Sequence, residues 1–144
     1  MRRTGRRIVT TARGRELRAH PPALLAALAE ELLAGDSFQA ACAELAAALI
    51  LDGFAADYSD ALATEVQPAI VAEGWRSAGQ PPEIRDVAWV IADFLRRAQA
   101  VGLLERGPGR SRLAPDPLVL TGAGRAAMTA ALRTRALAPP QGPC

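Results

Sequence analysis

The sequence predicts a mainly α protein of five or six helices with one or two short β-hairpins, and three observations predict it. Half of the residues are hydrophobic but only 4% are aromatic, so Leu, Ala, Val and Ile must build the core. Ala and Leu are strong helix formers. Apolar residues recur at three- and four-residue steps along most of the chain, and Pro and Gly stand at the ends of those stretches.

Taken in order, Ile8-Val9-Thr10 reads as the end of a short strand near residues 7–10, and Thr11 as the cap of a helix running to His20. A Thr hydroxyl can accept from first-turn N–H groups that have no helical partner. Pro21-Pro22 ends that helix, and Pro22 suits the first turn of the next. Leu24, Leu25, Leu28, Leu32 and Leu33 form its apolar face, and Gly35 stops it. Asp36 or Ser37 caps a third helix to about Leu51, with Phe38, Ala41, Cys42, Leu45, Leu49 and Ile50 inward and Gly53 at its end.

Ser59 or Asp60 opens a fourth helix carrying Leu62, Val66, Ile70 and Val71, which Pro68 should kink or restart. Gly74 and Gly79 frame Trp75. Pro81-Pro82-Glu83 starts the longest uninterrupted pattern, residues 83–101, ended by Gly102 as a C-cap. Gly107-Pro108-Gly109 marks a loop, a strand is expected at 117–120, and Thr121 caps the last helix. Residues 1–137 form one domain in this reading, and 138–144, with three Pro and a Gly, a disordered tail. Trp75 and Trp89 are expected as core anchors.

Charge is segregated along the chain. Residues 1–19 carry seven Arg against Glu16, residues 20–93 carry twelve acids against Arg76 and Arg85, and residues 94–144 carry eight Arg against Glu105 and Asp116. The basic ends either form a surface for nucleic acid or lie on the acidic middle and neutralise it. All 17 basic residues are Arg, which reads more simply as coding bias than as selection for the guanidinium fork.

The start resembles the end of the chain. Ile8-Val9-Thr10-Thr11-Ala12-Arg13-Gly14-Arg15 and Leu118-Val119-Leu120-Thr121-Gly122-Ala123-Gly124-Arg125 both give a short apolar strand, then Thr-x-x-Gly-Arg, then an Ala/Leu helix. The stretch from Phe94 through Val101-Gly102-Leu103-Leu104-Glu105-Arg106, continued by Leu118 to Arg125, resembles the second half of a winged-helix domain: helix, strand, wing loop, strand, helix. The hairpins are therefore expected to be of winged-helix type. The unbroken helix 83–101 departs from the DNA-reading version of that fold, which needs a short separate helix and a tight turn before its recognition helix. Over most of its length the chain also resembles the C-terminal helical region of actinobacterial plasmid open-reading-frame-3-like proteins. The resemblance rests on the Thr-x-x-Gly-Arg start, the Gly74-Trp75-Arg76 segment and the closing Leu120-Thr121-x-x-Gly124-Arg125. It implies a module found beside other domains and transfers no site.

Few chemistries have the residues they need. The one His, His20, sits before Pro21-Pro22 and reads as a loop or cap residue. One His and one internal Cys make a zinc site unexpected. Asp52, Asp57 and Asp60 lack the spacing and closing Glu of a Ca²⁺ loop. Gly122-Ala123-Gly124 opens a helix without the βαβ unit a dinucleotide site requires. The sequence thus points to a non-catalytic, cytoplasmic module without cofactor or metal. Its candidate nucleic-acid contacts are Arg96, Arg97, Arg106, Arg110, Arg112 and Arg125, with duplex DNA as partner. The alternative is a dimerisation or protein-interaction module built on the long apolar helix.

Overall fold

The computed structural model describes residues 12–34, 37–54, 59–77, 79–108 and 117–137. Six helices and one hairpin lie within them: α1 (Ala12–Ala19), α2 (Pro21–Leu33), α3 (Phe38–Leu51), α4 (Ser59–Ala72), α5 (Ile84–Ala100), β1 (Leu104–Arg106), β2 (Leu118–Leu120) and α6 (Gly122–Leu137). The expected strand at 7–10, the cap Thr11, the stop Gly35 and the tail 138–144 lie outside the described residues.

The punctuation has physical causes. Pro21 and Pro22 fill the first turn of α2, where their missing N–H groups have no helical acceptor to lose. The Ser37 hydroxyl caps α3 by accepting from the Ala40 N–H at 3.2 Å. At the start of α5 the Glu83 N–H donates to the Asp86 carboxylate at 3.3 Å. Three successive helices end alike. A Gly with positive φ follows the cap, and the next, apolar residue folds back: Phe54 N–H onto Leu49 O, Trp75 N–H onto Ile70 O, Leu103 N–H onto Ala98 O. That geometry satisfies otherwise unpaired carbonyls and needs the left-handed conformation that glycine adopts without strain. α4 runs through Pro68 as one helix, so the restart expected there does not occur. Pro68 sits on the exposed side, where a backbone carbonyl freed by the proline is open to water.

Helix α3 holds the assembly together. Ala40, Ala43, Ala46 and Ala47 are buried along it, and such small side chains let neighbouring backbones approach closely. It packs against α2, α4, α5 and α6, while α2 lies along α6 and α4 along α5. The core is aliphatic: Leu33, Leu62, Val66, Ile70, Val87, Ile91, Leu103, Leu104 and Met128 are all closed to solvent, with Phe94 beside them. Residues 104–106 and 118–120 pair antiparallel, Leu104 opposite Leu120 and Arg106 opposite Leu118. Among the described residues no helix is long and apolar enough to cross a membrane.

Candidate functional site

Of the six arginines singled out from the sequence, the four described ones have different surroundings. Arg96 and Arg97 lie in the second half of α5, and both pair with Asp93 one turn earlier, Arg97 at 3.7 Å. Arg97, in the last turn, also suits the negative end of the helix dipole. Arg106 is exposed at the end of β1. Arg110 and Arg112 lie outside the described residues. Arg125 turns inward along the protein surface, and its guanidinium donates to the Leu51 carbonyl at the end of α3, 3.0 Å away. Arg135, further along α6, pairs with Glu44 of α3 at 2.7 Å in a half-buried contact. In α6, then, part of the basic C-terminal segment is bound to the acidic middle.

The closing Thr-x-x-Gly-Arg segment is likewise used internally. The Thr121 hydroxyl accepts from the Gly124 N–H at 2.8 Å, as the capping expectation required. The same hydroxyl is placed to donate to the Gly102 carbonyl at 3.0 Å, and the Thr121 N–H donates to the Leu103 carbonyl at 3.1 Å. Gly124 has a role that local reasoning did not show. A Cβ there would collide with the Leu103 carbonyl and stand 2.8 Å from the Thr121 oxygen. One threonine and one glycine therefore lock the start of α6 onto the end of α5.

Trp89 overturns its expectation. It is 75% exposed, and Ile84, on the same helix, is 47% exposed. The buried stripe of α5 runs through Val87, Ile91, Phe94 and Ala98. At about 100° per residue, position 89 lies about 200° round from Val87 and so faces outward. That count was available from the sequence, and the general preference of Trp for packing masked it. Trp75 is half-buried, edge-on to Phe38 with ring centroids 6.1 Å apart, as a packing residue should be.

Trp89 stands as a ridge between two clefts. One, of about 540 Å³, lies between α2, α3 and α5, with Glu31, Gln39, Asp93 and Arg97 in its walls. The other, of about 550 Å³, lies between α4 and α5, with Asp60, Thr64, Ile84, Arg85 and Ala88 in its walls. This arrangement offers an indole, aliphatic side chains and charges of both signs, the composition of a protein-contact surface.

His20 is exposed at the junction of α1 and α2, where its carbonyl accepts from the Leu24 N–H at 3.1 Å. Cys42 is closed to solvent in α3, and its thiol is pushed up to about 12, first by burial and then by the nearby Glu73 carboxylate. Among the described residues no three His, Cys, Asp or Glu side chains gather as a metal site would need. Comparison of the chain with known families, with curated proteins and with solved structures finds no match.

Proposed function

We propose that this chain is a non-catalytic helical interaction module whose outer α5 face binds another protein. The observation that carries the reading is the exposed indole of Trp89 beside Ile84, between two clefts. A large aromatic left in water on a rigid helix is unfavourable for an isolated chain and typical of an interface anchor. The hydrogen bond from Arg125 to the Leu51 carbonyl supports the same choice, because it engages one of the six candidate cations within the chain. The cytoplasm is the compartment assigned to the module in this reading.

A photo-crosslinking residue placed at position 92, exposed beside Trp89 on the same face, tests it in the producing cell. The expected product is an adduct of one defined protein mass. A nuclease-sensitive adduct, or none, overturns the reading.

A second reading has one observation of its own. Arg106 is exposed on a hairpin that joins α5 to α6 in the order of a winged helix, and the connecting segment carries Arg110 and Arg112. On that reading the hairpin contacts duplex DNA, and affinity falls with salt with a slope of about −0.9 per phosphate contacted. Arg106→Ala then lowers the slope by about one. Absence of duplex binding at low salt removes this alternative.

A further inference from the structure

We draw no further inference here: the strongest candidate, the cleft between α4 and α5 beside the exposed indole of Trp89, belongs to the contact surface already proposed, and nothing in the structure shows what covers it.

Discussion

Two regions bordering the same helix, α5, contrast in how their side chains are used. At its C-terminal end, Gly102, Leu103, Thr121 and Gly124 meet in a junction where backbone and hydroxyl groups satisfy one another within the chain. On its outer face, about three turns before that end, Trp89 is left largely in water beside Ile84. The junction contains the segment that most resembles a motif, and nearly all of its chemistry is spent on holding α6 to α5. The outer face contains no motif and has the side chains with unspent binding capacity. In this molecule a recurring sequence pattern marks architecture, and the residue that departs from the burial pattern marks the candidate for function.

The sharpest way to break this contrast is Gly124→Ala. Gly124 lies inside α6, where replacing glycine by alanine should gain about 1 kcal/mol of helix propensity. The Leu103 carbonyl opposes that gain, because the new methyl group would lie on it. Overpacking against a backbone atom that cannot rotate away is expected to win, for a net loss of about 3 kcal/mol. Urea unfolding followed by circular dichroism decides it, and a variant more stable than the parent would dissolve the account of the junction. Thr121→Ala comes next. It removes the acceptor of the Gly124 N–H and the donor to the Gly102 carbonyl, with an expected loss of about 1 to 2 kcal/mol. Thr121→Ser keeps the hydroxyl and should recover most of that loss in the same measurement.

Cys42 belongs to the inner side of the contrast, and pH tests how dry that side is. Its thiol is raised in the folded chain from an ordinary 9.0 to about 12. The unfolded chain therefore loses this proton first. The stabilisation is complete below about pH 9 and is lost progressively as pH rises towards 12, amounting to about 1 kcal/mol by pH 10. The comparison is the unfolding free energy at about pH 8 and about pH 10 for the parent and for Cys42→Ala. The variant has a constant packing deficit and no thiol to titrate, so its decline should be shallower. Equal declines would mean that the thiol is less enclosed than the packing of α3 indicates.

How much of this was legible in the sequence follows from the range of each interaction. Helix boundaries were readable because Pro22, Ser37, Gly53, Gly74 and Gly102 act on residues within one turn. The Thr121 cap was readable for the same reason, since its acceptor role spans three residues. The function of Gly124 was not, because the group it must clear lies 21 positions earlier, on the far side of the hairpin. Nor was the fate of Arg125, whose partner carbonyl is 74 positions away in α3. Listing it among the candidate nucleic-acid contacts assumed an outward direction, and the docking of α6 on α3 brings it to the end of that helix instead. Trp89 is a different case: the stripe through Val87, Ile91 and Phe94 already left it outside, and residue-type preference was given more weight than angular position.

The smallest expected change in stability sharpens the contrast most. Trp89→Ala deletes the largest side chain on the outer face of α5, and alanine is the better helix former by a few tenths of a kcal/mol. Because 75% of the indole is already in water, little burial is lost when it goes. The unfolding free energy of the isolated chain should therefore change by no more than about 0.5 kcal/mol, in either direction. A buried Trp removed in the same way would cost about 3 to 5 kcal/mol, so the two possibilities are well separated. The measurement belongs at low protein concentration, where association adds nothing to the apparent stability. A loss in the larger range would mean that Trp89 packs within its own chain, and the interaction surface would then have no anchor. A change near zero, together with loss of the adduct from a crosslinker at position 92 when Trp89→Ala is added, assigns the indole to a partner rather than to the fold.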